Sequence, residues 1–484
     1  MKKGGDAMDG KRLKIVVAGG GITGMSAAFY AVKYFAERQM PVDIVLVEKS
    51  RRLGGHIRTI HRDGFIIEQG PDSFLARKAP VMKLIRELNL EARLAATNPD
   101  PQAKKNYILH KGKLHEMPLG LVLGIPTALA PFVKTGLVSP LGKLRAAMDL
   151  LLPRRKDDAD ESLGGFIRRR LGREVLDNIT EPLLAGIYAG ETQSLSLEAT
   201  FPQFRQIERD YRSLMIGMLA GKKSAPPSSA DGPEIARKSL FLTFDQGLST
   251  LVERLEQSLP TVRKLTGEGI NRIEKDAEGY RLLLESGDAL HSDGLIMALP
   301  AAEAARLMPD VAETEWLGRI PYASVANIAL AYRTEDIPGK LQGSGFVVPR
   351  REGRLITACT WSSSKWPHAA PPGKALLRTY VGRANAQEWL LLSEEELIAS
   401  VRADLQATMG IVAEPLFIEI SRCHRSMPQY PVGHRERLRE LRANLAVEKP
   451  GVWLCGAGYE GVGIPDCIEQ GRQAAEQAVS YALS

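Results

Sequence analysis

The sequence predicts an α/β fold built from more than one domain. Three observations carry that expectation. A β-branched run, a glycine loop and a helical repeat follow one another from Leu13 to Glu37, and a second apolar strand follows Pro41. The chain closes on the same order of strand, glycine-rich loop and helix in "GVWLCGAGYEGVGIPDCIEQGRQAAEQAVSYAL". With 484 residues it exceeds what one hydrophobic core usually organises, so two or three domains are expected.

Leu13 to Ala18 reads as a strand and Ile22 to Glu37 as a helix of good helix formers; "VDIVLVEKS" is the next strand, closed by Glu48. Met117 to Pro153 is apolar but cut by prolines, with Lys134, Lys143 and Arg145 interspersed. It suits either a buried helical subdomain or a surface lying on a bilayer. Gly221 to Pro233, "GKKSAPPSSADGP", is the best linker candidate. From Ser239 a strand, turn and helix resume, and the stretch from Val262 to Pro300 suggests a meander of short strands. No period of 20 to 50 residues recurs, which sets solenoids aside.

Apolar residues at 44% and charged residues at 25% describe a globular chain and exclude a disordered or fibrous one. The net charge of +7 favours anionic partners. No zinc-finger spacing, RNA-recognition signature or aromatic–basic ladder accompanies it, so an anionic small molecule or membrane surface is expected before nucleic acid. Cys359, Cys423, Cys455 and Cys467 are scattered without a Cys-x-x-Cys pair, and neither a metal site nor a disulfide framework is expected. No apolar run reaches about 18 residues, so the expected location is cytoplasmic, with peripheral contact at the cytoplasmic membrane left open.

Gly19, Gly21 and Gly24 fit G-x-G-x-x-G between a strand and a helix. Bare backbone there lets a pyrophosphate approach the exposed N–H groups and the positive end of the helix dipole. Glu48, ending the next strand, stands where a carboxylate would hold an adenosine ribose. A plain strand–helix turn is the alternative.

The segment "RRLGGHIRT" resembles the R-x-G-G-(R/K)-x-x-(S/T) motif of FAD-dependent amine oxidases and related desaturases, carried by Arg52, Gly54, Gly55 and Thr59, with His56 where a basic residue is usual. The resemblance implies FAD as the cofactor. It also implies that Gly70, Pro71, Asp72 and Ser73 of "GFIIEQGPDSF" pass the flavin ring, and that the C-terminal loop with Gly456, Gly461, Gly463 and Gly471 encloses the cofactor from the other side. With no second G-x-G-x-x-G for a nicotinamide cofactor, dioxygen is the simplest electron acceptor. "EPLLAGIYAG", "ATFPQF", "ACTWSSSKWPHAAP", "SMPQYPVGH" and "YEGVGIPDCIEQG" narrow the likeness. Together they resemble the porphyrinogen oxidases of haem synthesis, the form found in Gram-positive bacteria above all, from about Leu13 to the C-terminus.

That resemblance implies an FAD-binding Rossmann-like domain of the p-hydroxybenzoate hydroxylase/amine oxidase type from residues 1–85, 240–302 and 422–484. It further implies a helical substrate or membrane-contact subdomain over 86–239 and a mixed-sheet substrate domain over 303–421. The implied FAD contacts are Gly19, Gly20, Gly21, Ile22, Thr23, Gly24, Glu48, Lys49, Arg52, Gly54, Gly55, His56, Gly70, Pro71, Asp72, Ser73, Ile270, Gly456, Val462, Gly463 and Ile464. Cys423 stands where the family usually places a tryptophan. The implied reaction is the six-electron oxidation of coproporphyrinogen III to coproporphyrin III with hydrogen peroxide as by-product, protoporphyrinogen IX being the alternative substrate. Hand-off of product to a chelatase fits the pathway. Arg77 and Lys78 are candidates for a substrate propionate or a solvated pair; Leu183, Ile187 and Tyr188 are candidates for cavity wall or core. No catalytic acid or base stands out, His434 being the weak choice among the histidines. An amine oxidase, a desaturase or a non-enzymatic scaffold would share parts of this pattern.

Overall fold

The computed structural model describes residues 12–118, 120–122, 125–126, 129–224 and 234–483. Five parallel strands, β1 (Leu13–Ala18), β2 (Val42–Glu48), β3 (Arg263–Thr266), β4 (Gly294–Met297) and β5 (Val452–Leu454), form one sheet in the order β3-β2-β1-β4-β5. Ile15 sits opposite Gly294, and Leu295 opposite Val452. Every residue of β4 is buried, as expected of a strand covered on both faces of a parallel sheet. The stretch expected as one meander is therefore divided. Its ends, β3 and β4, join the parallel sheet, and only Ile270–Asp276, Gly279–Leu284 and Ala289–Ser292 form the antiparallel meander.

Helix α1 (Ile22–Glu37) and helix α2 (Ile464–Ala482) pack together on one face of the sheet through Met25, Phe35, Ile468 and Ala475. Gly471, grouped above with the C-terminal loop, lies inside α2. A Cβ there would come within 2.4 Å of the Thr23 carbonyl oxygen, so its role is close helix packing. The meander covers the other face, with Tyr280 and Leu282 against Val16 and Val47.

A second, seven-stranded mixed sheet runs in the order Phe417–Pro428, Tyr322–Arg333, Lys374–Val381, Ile356–Trp361, Gly345–Val347, Asn106–His110, Lys113–Glu116. All its pairings are antiparallel except that of Gly345–Val347 with Asn106–His110. This sheet thus draws strands from both sides of residues 239/240 and 421/422.

The third layer is helical. Phe132, Phe166, Ile179, Leu184 and Phe204 share one core. Beside it Arg170 and Asp149, both fully buried, form an ion pair that Glu208 and Arg205 extend. The apolar stretch before Pro153 is split between two faces. Phe132, Leu137 and Ala146 point inward, whereas Val133, Leu141, Leu144 and Leu151 are 61 to 78% exposed. The linker candidate begins as the end of helix Leu214–Ser224, and residues 225–233 lie outside the described residues. Among the described residues no helix is long and apolar enough to cross a membrane.

Candidate active site

β1 ends in a turn that only glycine fits. Gly19 has φ of 102°, and a Cβ on Gly24 would lie 1.8 Å from the Gly19 carbonyl oxygen. Gly21 differs: its backbone is extended, and a Cβ would meet nothing closer than the Gly55 Cα at 3.9 Å. α1 starts there with no side-chain cap, leaving its first N–H groups directed at open space. The "RRLGGHIRT" segment closes against this turn, Gly54 donating its N–H to the Gly20 carbonyl at 2.8 Å. Arg52 folds back on its own loop and donates to the carbonyls of Gly55 (2.6 Å), Leu53 (3.2 Å) and Ile57 (3.3 Å), while His56 is exposed. Thr59, the last residue of the motif, caps helix Ser249–Gln257, its hydroxyl accepting the Ser249 N–H at 3.0 Å.

Glu48 closes β2 and accepts the Gly20 N–H at 2.6 Å and the Ser50 N–H at 2.8 Å. That arrangement fixes the carboxylate beside the glycine turn with lone pairs to spare for a ribose. Lys49 points away and pairs at the surface with Glu285 (2.8 Å). Ile270 is buried beside Val16 and Val47.

α2 also begins without a side-chain cap, at Gly463, and Gly456 abuts Thr23 of α1. The two uncapped helix starts and the bare glycines between them therefore face one region. Val462 packs against the helical core that contains Tyr188, and Ile464 against the core of α1.

Gly70 touches the second loop so closely that a Cβ would sit 1.9 Å from the His56 carbonyl oxygen. Pro71 follows. Asp72 turns inward to Lys365 (2.8 Å) and the Trp366 indole N–H (3.3 Å), and Ser73 donates to it at 2.7 Å. Burial raises its pKa, but Lys365 and Arg378 outweigh burial and hold the carboxyl well below the usual range.

Lys78 donates to Asp466, in the first turn of α2, at 2.8 Å; Arg77 is exposed and forms no ion pair among the described residues. Tyr188 is buried near Asp466, its ring edge-on to Phe201, and its phenol is raised by burial. It ends helix Glu181–Tyr188, which also contains Leu183 and Ile187; the Ile187 side chain lies outside the described residues. This helix is tied to the seven-stranded sheet by Arg383, which donates to Glu181 (2.9 Å) and to the Val348 carbonyl (2.6 Å). Lys78, Asp466, Tyr188 and Val462 thus come together at the start of α2.

His434 is fully buried between the rings of Tyr430 and Trp316, with Nε2 2.7 Å from the Tyr459 carbonyl oxygen. Its surroundings are those of a packing residue. A cavity of about 390 Å³ between Arg442, Trp453 and Tyr481 flanks β5 and contains none of the site residues.

Sequence reasoning missed Glu68, Lys365 and Arg378. Arg378 is 2% exposed and donates to the Gly70 carbonyl at 2.7 Å and to Asn327 Oδ1 at 3.2 Å. A lone cation inside the apolar run "ALLRTYV", and a lone acid in "FIIEQ", were the available signals.

A parallel sheet with two uncapped glycine turns meeting over it, joined to a mixed sheet and a helical layer, defines a dinucleotide-binding protein. The chain belongs to the flavin containing amine oxidoreductase family, whose model matches residues 22–479. Within it the chain falls with the porphyrinogen oxidases. It is 46% identical to the coproporphyrinogen III oxidase of Bacillus subtilis (strain 168), over 98% of this chain and 100% of that one. It is 38% identical to the coproporphyrinogen III oxidase of Staphylococcus aureus, over 96% and 99% of the two chains. A crystal structure from Exiguobacterium sp. 255-15, described as a protoporphyrinogen oxidase, superposes with a TM-score of 0.85 at 35% identity, covering 98% of this chain and 100% of that one. The cofactor is FAD, and the residues fit it: two helix starts without caps, the open space at Gly21 and the fixed Glu48 carboxylate supply what its pyrophosphate and ribose require.

Proposed function

We propose that the protein oxidises coproporphyrinogen III to coproporphyrin III, with dioxygen as electron acceptor and hydrogen peroxide as the second product. The observation that carries this reading is the 46% identity, over nearly the whole of both chains, to the Bacillus subtilis enzyme of that name. When bound, the flavin supplies the hydride acceptor. The protein's own residues place and enclose it: Gly21 and Gly456 leave room for the pyrophosphate, Gly19, Gly20, Gly24 and Gly54 let the turn around it close tightly, and Glu48 holds the ribose. Arg52 braces the second loop, and Gly70 to Ser73 with Val462 to Ile464 border the ring. In this division of labour 1–85, 240–302 and 422–484 chiefly hold the cofactor, while 86–239 and 303–421 enclose the substrate.

Lys78 is the cation best placed for a substrate carboxylate. Its pair with Asp466 is 43% and 33% exposed, and such a pair contributes at most about 1 kcal/mol, so a propionate can compete for the ammonium. Arg77 adds a second cation at the same edge, and Tyr188 with its helix forms the apolar wall. Coproporphyrinogen III, with four propionates, gains more from these cations than protoporphyrinogen IX, with two. The resemblance to the Exiguobacterium structure supports protoporphyrinogen IX as a second reading. Porphyrin fluorescence with both substrates at matched concentrations tests the choice. A kcat/KM larger for coproporphyrinogen III is expected, and a clear preference for protoporphyrinogen IX overturns it.

The exposed side chains Val133, Leu141, Leu144 and Leu151, with exposed Lys134 and half-buried Lys143 between them in sequence, support peripheral contact with an anionic membrane surface from the cytoplasmic side. Delivery of product to a chelatase suits the same placement. Flotation with anionic vesicles, lost in Leu141→Glu/Leu144→Glu, is the expected result; equal flotation of the variant refutes the contact.

A further inference from the structure

Behind the Gly70–Ser73 turn lies a closed set of charges that the cofactor cradle does not require. The Glu68 carboxyl, 7% exposed, accepts the Leu248 N–H at 2.7 Å and the Thr59 hydroxyl at 2.9 Å. Asp72 pairs with Lys365 and stands 3.8 Å from Arg378 Nη1. Arg378 and Glu68 are also linked through Asn327, whose side-chain amide donates to the Glu68 carbonyl at 2.8 Å. Glu68, Asp72, Thr243, Ser362, His368 and Arg378 line a cavity of about 20 Å³. Two atoms of these lining side chains, Arg378 Nη1 and Ser362 Oγ, have no hydrogen-bond partner, although the side chains are only 2% and 3% exposed. A cavity needs about 10–15 Å³ and two to four polar partners to hold a water. This one satisfies both requirements for a single molecule.

The charges balance in only one protonation state. Asp72 is shared by Lys365 and Arg378, and among the described residues Glu68 is the other carboxylate whose charge acts with Arg378, so a protonated Glu68 leaves two cations to one carboxylate. An anion arriving nearby would take the place of the missing counterion. FAD, when bound beside Gly70 and reduced, would bring that negative charge. We propose that Glu68 is the proton store of the active site, exchanging its proton through one water held between Arg378 Nη1 and Ser362 Oγ. In each two-electron step a bridge C–H of the substrate gives up a hydride, and a ring N–H or second bridge C–H gives up a proton. Glu68 holds the proton until dioxygen, having received the electron pair, takes it up with the hydride's hydrogen to leave as hydrogen peroxide. The carboxylate is then restored. Burial pushes the Glu68 carboxyl up to about 7, against the opposing pull of the Leu248 and Thr59 hydrogen bonds and of Arg378. His368 lines the cavity beside Asp245, which pairs with Arg93 near the surface, and gives the store an outlet to solvent. Among the described residues, the charged and titratable groups that act on Glu68 or line its cavity are Asp72, Arg378 and His368, with Lys365 behind them on Asp72.

The role in turnover rests on the dioxygen reading above; the test needs neither dioxygen nor porphyrinogen, so its failure is distinct from failure of that reading. FAD-loaded protein is reduced anaerobically with dithionite in weak buffer, and proton uptake is followed with a pH indicator. Between roughly pH 8 and 9 the wild type is expected to take up close to one proton more per two electrons than Glu68→Gln, falling to about half a proton at pH 7, where Glu68 is already about half protonated. Equal uptake by the two overturns the proposal. Reduced-minus-oxidised infrared spectra of the unmodified protein give a second measure, independent of whether the variant folds. A carboxylic C=O band that grows on reduction and shifts down in D2O is expected, and its absence across that pH range also overturns the proposal.

Discussion

Replacing Gly21 with alanine should separate cofactor binding from folding. Gly21 sits at φ −72° and ψ 177°, a conformation open to any residue, and the new methyl group meets nothing within 3.9 Å. Lower entropy of the unfolded chain favours the variant by about 0.4–1 kcal/mol. Alanine is the poorer N-cap by a comparable amount, about 0.5–1 kcal/mol, so the apoprotein's stability should change by less than about 1 kcal/mol. The methyl group would occupy the space over the first N–H groups of α1. Losing one or two charge-assisted hydrogen bonds to a pyrophosphate costs about 1.5–3 kcal/mol each, a loss of affinity from about tenfold to several hundredfold or more. Titration of apoprotein with FAD, followed by flavin fluorescence, measures the affinity, and thermal unfolding of the same preparations measures the stability. Gly24→Ala is the contrast: its Cβ would lie 1.8 Å from a backbone oxygen, and the apoprotein itself should lose about 2 kcal/mol or more. If Gly21→Ala binds FAD within about threefold of the wild type, the pyrophosphate does not pass over Gly21 and the cradle is misassigned.

Asp149→Ala should destabilise the helical layer by about 3–5 kcal/mol, because it removes the nearer buried carboxylate from Arg170 and leaves Glu208 at 3.5 Å, already shared with Arg169 and Arg205. Arg173→Ala, which breaks an exposed pair with Asp177, should cost less than about 0.5 kcal/mol in the same thermal melts. Among the four free cysteines only Cys423 is partly exposed, so one thiol should react in the folded apoprotein, slowly at neutral pH because burial raises its pKa. FAD should slow that reaction further; mass spectrometry placing the first label on another cysteine would contradict this placement. Glu68 also sets a pH dependence of stability. Its folded pKa is raised to about 7 from an ordinary 4.5, so its stabilising contribution is complete below pH 4.5 and is lost as pH rises through 7. Glu68→Gln should therefore gain on the wild type between pH 5 and 8, by up to about 3 kcal/mol, in denaturant titrations at each pH.

The parts legible in the sequence were those governed by local pattern. Leu13–Ala18, Ile22–Glu37 and Val42–Glu48 follow from a β-branched run, a glycine turn and a helical repeat, and all three elements form as expected. Gly294–Met297 was read as part of a meander because four consecutive buried residues have no alternation to show which sheet they join. Thr59 and Gly471 belong to glycine-loop signatures, yet one caps a helix and the other admits a neighbouring helix; residue type alone does not separate these tasks from ligand contact. The Glu68, Lys365 and Arg378 cluster was illegible for a different reason. Its members come from three segments, and only tertiary pairing brings Arg378 to the Gly70 carbonyl.

The strand order of the parallel sheet also governs when the protein becomes complete. β1 lies between β2, close to it in sequence, and β4, where the Lys14 N–H meets Asp293 across 279 residues; β5 then adds to β4 from the far end of the chain. Contacts of such separation form late, since loop-closure entropy must be overcome before they contribute. During synthesis the first glycine turn emerges well before its neighbour β4, and longer still before α2. Flavin capture thus waits for β5 and α2, and a chain truncated before Val452 would persist as a colourless, aggregation-prone species with an open sheet edge.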